Sequence, residues 1–214
     1  MTEYTRHIEH YLVHSHSAFS NLIPEEKWGN KDLAQRYLQK YWLEEQEYLK
    51  VWKPMQDSIF NQGKSLPDLI FRPEIELMVL RGGCLFAEDD FKKLQKAMRA
   101  VGDNYFVVIQ HSQEFTRGEP MFRMKFPVRI TWDELASGNY ISAVLLEMSY
   151  NEYYVFSESG KWGKYSANDF RLPLDIVGFK PEYKSIFKKN FEQSSEEWEE
   201  IKEWLPPKYK ENIK

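Results

Sequence analysis

The order of hydrophobic patterns along this chain predicts an α+β fold with a mainly antiparallel sheet. A C-terminal meander is expected in it, packed by a helical N-terminal segment and two C-terminal helices. Three observations carry that expectation. Residues 139–169, NYISAVLLEMSYNEYYVFSESGKWGKYSAND, read as three short strands joined by tight turns. Residues 121–130 alternate Phe122, Met124, Phe126, Val128 and Ile130 with Arg123, Lys125, Pro127 and Arg129, the period of a strand with one buried face. Before residue 62 and after residue 180 the apolar positions recur instead at helical spacing.

Taken in order, residues 1–29 are expected to be partly helical, with Ile8, Tyr11, Leu12 and Phe19 buried. Asn30 can cap a long helix that begins at Lys31, because a short polar side chain can accept from an orphan N–H of the first turn. Ala34, Leu38, Tyr41, Trp42, Tyr48, Leu49 and Trp52 form its apolar stripe, which is expected to pack on the sheet. Pro54 has no N–H to donate and should kink or end it. The polar stretch Asn61–Pro67 is the natural linker, giving a helical segment over 1–62 and an α+β domain over 68–214 that can form one compact unit with it.

Glu74–Leu80 reads as a strand, followed by a turn at Arg81-Gly82-Gly83 into Cys84. Glu88, Asp89 and Asp90 then open a helix with Phe91, Leu94, Met98 and Val101 on its inner face, closed by Gly102. Tyr105–His111 is a further strand. In the 121–130 strand Pro127 suits a sheet edge, and the basic row beside it can block edge-to-edge pairing. Thr131 and Glu134 have capping-box spacing and should start a short helix that Gly138 closes.

Ile141–Met148, apolar at nearly every position, reads as a strand covered on both sides, with Tyr153–Phe156 and Trp162–Ala167 completing the meander about a turn at Ser159-Gly160. Leu172–Phe179 is interrupted by Pro173 and is expected to be a connector or short edge strand. Pro181 can begin a helix carrying Tyr183, Ile186 and Phe187. Ser194 or Ser195 can cap another, with Trp198, Ile201 and Leu205 inward and Glu196, Glu197, Glu199, Glu200 and Glu203 outward.

Composition narrows the function classes. A chain of 214 residues, 29% charged and 42% hydrophobic, has the balance of a folded protein, and its 16% aromatic content points to a ring-rich core. A net charge of -4 disfavours a nucleic-acid partner, which wants a positive surface. A single cysteine, Cys84, rules out an internal disulfide framework and fits a reducing compartment. Residues 1–16 lack the basic start and apolar core of a signal peptide, and no apolar run approaches the ~20 residues that span a bilayer. The expected location is the cytoplasm, with no membrane partner.

Sequence signals for chemistry are sparse. GxGxxG, GxSxG, HExxH and CxxC motifs are all missing, and the 33 acidic residues allow no carboxylate pair to be singled out. His7, His10 and His14 fall at spacings of three and four on one helical face, with His16 close by. No carboxylate or cysteine pattern completes a site there, so neither metal nor cofactor is expected. A nucleophile could be assembled from Cys84, beside flexible glycines, and His111, near the end of another strand. A small buried thiol is the plainer reading of Cys84. The hairpin around Lys161, Trp162 and Lys164 sets rings and cations beside a tight turn, the make-up of a binding edge.

Thr131–Phe179, with TWDELASGNYISAVLLEM and then YYVFSESGKWGKYSANDFRLPLDIVGF, resembles a pattern in small bacterial proteins, some of them immunity proteins that neutralise toxins passed between competing bacteria. That resemblance implies a cytoplasmic α+β protein that acts by tight binding and carries out no reaction. Many such toxins cut nucleic acid and have basic clefts, which an acidic helix can occupy. The expected partner is therefore a protein, met through Glu196, Glu197, Glu199 and Glu200 and through Lys161, Trp162 and Lys164. The alternative is an enzyme with a Cys84/His111 site.

Overall fold

Six strands build one sheet in the computed structural model of the chain, which describes residues 2–20, 30–64, 68–81, 85–111, 121–146, 152–167 and 174–191, with positions 196, 199, 202, 203, 205, 207 and 210. They are β1 (Glu76–Arg81), β2 (Tyr105–His111), β3 (Arg123–Pro127), β4 (Glu152–Ser157), β5 (Trp162–Ala167) and β6 (Leu174–Phe179). The spatial order is β1-β6-β5-β4-β2-β3, and every neighbouring pair is antiparallel. The α+β class is as the sequence predicts. Around the sheet lie α1 (Glu3–Ser20), α2 (Lys31–Tyr41), α3 (Glu45–Glu47), a π turn (Tyr48–Trp52), α4 (Lys53–Ile59), α5 (Glu88–Val101), α6 (Trp132–Leu135), α7 (Tyr140–Leu146), a 3-10 turn (Pro181–Tyr183) and α8 (Lys184–Asn190).

Each face of the sheet has its own core. Met78, Phe106, Val108, Met124, Phe126, Tyr153, Val155, Trp162, Val177 and Phe179 point to one side, where Ile8, Leu12, Leu38, Phe91, Met98, Ile141 and Phe187 cover them. Leu77, Val79, Val107, Ile109, Tyr154, Phe156, Tyr165 and Ile176 point to the other, under Leu43, Tyr48, Trp52, Ile59, Phe60, Ile70, Phe71 and Leu205. Covering both faces removes the need for polar alternation, which is why β2 and β4 read as unbroken apolar runs. Residues 1–62 thus contribute to both cores that the sheet of 68–214 forms.

Capping chemistry follows expectation. Leu33 donates to Asn30 Oδ1 at 3.1 Å, and Glu134 N donates to Thr131 Oγ1 at 3.1 Å. Gly102 closes α5 with φ of +91°, and Gly160 turns the β4–β5 hairpin with φ of +60°. Pro127 ends β3 on the sheet edge.

Several expectations are corrected. Ile141–Leu146 is not the first strand of the meander: these residues belong to α7, whose Tyr140, Ile141, Ala143, Leu145 and Leu146 are enclosed by the first core, and residues 147–148 lie outside the described residues. The meander is instead β4, β5 and β6, and β6 lies between β1 and β5 rather than at an edge. The helix from Lys31 stops at Tyr41, where Trp42 bridges to Met124 and Leu43 N donates to Arg123 O at 3.0 Å. This break shares the aromatic stripe between two cores: Leu38, Tyr41 and Trp42 in one, Tyr48 and Trp52 in the other, with Leu49 52% exposed. Pro54 does not end the helical path: it stands at the start of α4 directly after the π turn, whose Lys53 N–H reaches back to Tyr48 O.

Arg123 is not on a wet face. It is 3% exposed, donates from Nε to Leu43 O at 3.2 Å and faces the rings of Trp42 and Tyr48, both 5.8 Å away. Its strand neighbour Lys125 is half-buried and pairs with Glu47 at 2.7 Å. Asn61 opens no loose linker: its Nδ2 donates to Leu69 O and Phe71 O, both at 2.9 Å, and Phe60 bridges Phe71. Phe19's side chain, Cys84 with its glycine turn, and most of the helix expected after Ser195 lie outside the described residues.

Candidate partner surface and polar sites

Hairpin residues expected at a binding edge turn out to hold the fold together. Trp162, Lys164 and Ser166 project from one side of β5, toward the core beneath α5 and α8. Trp162 is wholly buried, donates from Nε1 to Asp103 Oδ2 at 2.7 Å and meets Phe187 at 5.9 Å between ring centroids. Lys164 is buried too: its Nζ lies 2.8 Å from Asp175 Oδ2, donates to Leu85 O and sits 4.9 Å from the Phe86 ring. Ser166 Oγ donates to the other oxygen of Asp175 at 2.8 Å, so both oxygens of this carboxylate are bound. Lys161 is half-buried, donating to Val101 O at 3.3 Å with its ammonium 5.0 Å over Tyr183. Period two beginning at Trp162, in a strand covered on both faces, was the signal for this inward set.

The acidic C-terminal face stands outside. Glu196, Glu199 and Glu203 are exposed, at helical spacings of three and four, and Lys202 pairs with Glu199. Leu205, 2% exposed, anchors this stretch in the second core. Glu197 and Glu200 lie outside the described residues.

His111 ends β2 opposite Glu152 of β4. Its side chain is 6% exposed, its Nε2 has no hydrogen-bond partner among the described residues and stands 3.8 Å from Glu152 Oε2, and Tyr165 Oη donates to that same oxygen. Tyr154 meets the imidazole edge-on at 5.0 Å. Burial lowers the His111 pKa by disfavouring the cation, and the Glu152 charge opposes that. The imidazole also borders a cavity of about 250 Å³, with Lys53, Asp57, Gln110 and Tyr154 in its walls. Such an imidazole can act as a general base only with a reacting partner within hydrogen-bond reach, and Cys84 is outside the described residues.

A larger cleft of about 410 Å³ opens beside the hairpin, between Arg99, Asp103, Tyr105, Arg129 and Glu158. Its carboxylates are committed to the fold. Asp103 takes the Trp162 N–H, and Glu158 Oε1 accepts from N and Nδ2 of Asn104 at 2.8 and 3.1 Å. On α1 the histidines separate: His7 faces Trp42 at 6.2 Å, His16 faces Tyr140 at 5.3 Å, and His10 and His14 face each other at 4.1 Å. Among the described residues no three metal-type ligands converge, and no helix is long and apolar enough to cross a membrane. Compared with family models, curated proteins and solved structures, the chain matches none.

Proposed function

We propose that this chain works by binding a basic protein partner, as an immunity protein that occupies the cleft of a cognate antibacterial toxin. One observation carries the reading: Glu196, Glu199 and Glu203 are exposed at helical spacing on a stretch anchored by buried Leu205. An anchored acidic face loses little freedom on docking, and opposed charge accelerates encounter with a positive cleft. With Trp162 and Lys164 committed to the core and Lys161 bound to the Val101 carbonyl, the surface assigned to the partner is the acidic face.

Co-expression with the toxin encoded beside its gene tests this. The chain should rescue growth, and replacing Glu196, Glu197, Glu199 and Glu200 with lysine should abolish rescue while the circular dichroism spectrum and melting temperature stay close to the parent's. Rescue that survives the reversals removes the acidic face from the interface, and failure of the parent chain to rescue removes the immunity role.

A second reading, an enzyme using Cys84 and His111, is favoured by the buried imidazole whose Nε2, without a hydrogen-bond partner among the described residues, stands beside Glu152. The same assay separates the two, because Cys84→Ser leaves protection by binding intact and abolishes protection that depends on a Cys84 reaction.

A further inference from the structure

We propose that His10 and His14 form a two-nitrogen chelate for a borderline divalent transition ion, Cu²⁺ above all, on the outer side of α1. Residues four apart on a helix stand one turn apart on the same face, so the backbone already brings the two imidazoles together. Their ring centroids are 4.1 Å apart with planes at 45°. The rings are thus already neighbours, and side-chain rotation alone can turn one nitrogen of each toward a shared ion. His14 is exposed and His10 half-buried, so an ion reaches the pair from solvent. Tyr11 steadies the inner ring, meeting His10 edge-on at 5.2 Å.

The neighbouring histidines define the size of the site. His7 is turned to Trp42 and His16 to Tyr140, at 6.2 and 5.3 Å, which leaves His10 and His14 as the paired imidazoles among the described residues, with water to complete the shell. An open two-imidazole site suits the tetragonal preference of Cu²⁺ better than the closed tetrahedron of structural zinc. The general order of affinities among divalent ions also places Cu²⁺ above Ni²⁺ and Zn²⁺ at imidazole ligands. This site is separate from the acidic face, and it stands whether or not a toxin is bound.

Titration of the full-length chain with Cu²⁺, followed by calorimetry and electron paramagnetic resonance, tests the assignment. One ion per chain is expected, with a spectrum that carries nitrogen coupling and with weaker binding of Ni²⁺ and Zn²⁺. His14→Ala should weaken Cu²⁺ binding by at least about tenfold, since even an outer partner of a metal ligand is worth that much. His10→Ala should do the same, and His16→Ala should leave the affinity unchanged. Because His14 is exposed, its variant keeps the fold and decides the matter alone if His10→Ala destabilises the chain. Undiminished binding in His14→Ala, or an equal loss in His16→Ala, overturns the assignment.

Discussion

Burial holds the His111 imidazole below its ordinary pKa of 6.5, and this ties stability to pH. The unfolded chain takes up a proton near the ordinary value, whereas the folded chain takes one only at lower pH. Stability is therefore fully present above 6.5 and falls as acid carries the unfolded state through that value toward the folded one. Each tenfold difference in proton affinity between the two states costs about 1.4 kcal/mol. His111→Gln should flatten this decline in urea denaturation between roughly pH 7 and 5. Identical declines in parent and variant would show that His111 is not the group responsible. Residues of this kind are hard to read from sequence, because polarity signals surface until the partners are known. Arg123 and Lys164 are polar yet buried, held by the Leu43 and Leu85 carbonyls and by aromatic rings that come from distant parts of the chain. Trp162 was legible as an aromatic in a strand, but its direction depended on which face α8 covers.

Strand-forming stretches with one wet face and helices with local caps were legible, as Thr131, Asn30 and Gly102 illustrate. Residues 141–146 were not, because a nearly all-apolar run carries neither period, and a buried helix and a buried strand then look alike. Ser142 was the local clue: its hydroxyl donates to Leu135 O at 3.0 Å and accepts from Gly138 N at 2.7 Å, fastening one helix to the next. Within the sheet, Gly163 and Gly178 face each other across β5 and β6. A Cβ on Gly163 would come 2.5 Å from Phe60 Cζ, and one on Gly178 would come 2.5 Å from Phe71 Cδ1. The missing side chains make room for the bridged Phe60–Phe71 pair to lie directly on the sheet. Gly163→Ala and Gly178→Ala should each lower unfolding stability by about 1–3 kcal/mol, the usual cost of overpacking a filled core. Phe60→Leu should recover part of the Gly163→Ala loss in a double-mutant cycle. A neutral Gly163→Ala, or strict additivity with Phe60→Leu, would mean that the sheet takes its cover from elsewhere.

At the scale of the molecule, a six-stranded sheet with two apolar faces needs cover on both, and the N-terminal segment supplies much of each. Ile8, Leu12, Leu38 and Tyr41 lie over one face, while Trp52, Ile59 and Phe60 lie over the other. The chain passes between the faces where α2 ends, pinned by Leu43 and Arg123. Tyr140 Oη also donates to Leu12 O at 3.2 Å, joining α7 to α1. Composition at Asn61–Pro67 marked a boundary in polarity, but a boundary in polarity says nothing about which cores the two sides share. Each large buried side chain removed forfeits about 1.5–3 kcal/mol, so losing these seven forfeits roughly 10–20 kcal/mol, as much as the whole stability of an ordinary domain of ~5–15 kcal/mol. A fragment of residues 68–214 should therefore show no cooperative thermal transition and should bind a hydrophobic dye, whereas the full chain melts sharply and binds none. Adding residues 1–67 as a separate peptide should restore a transition, since the lost contacts are packing and not chain connectivity. A sharp melt from 68–214 alone would mean that the sheet's two faces can be closed without the N-terminal segment.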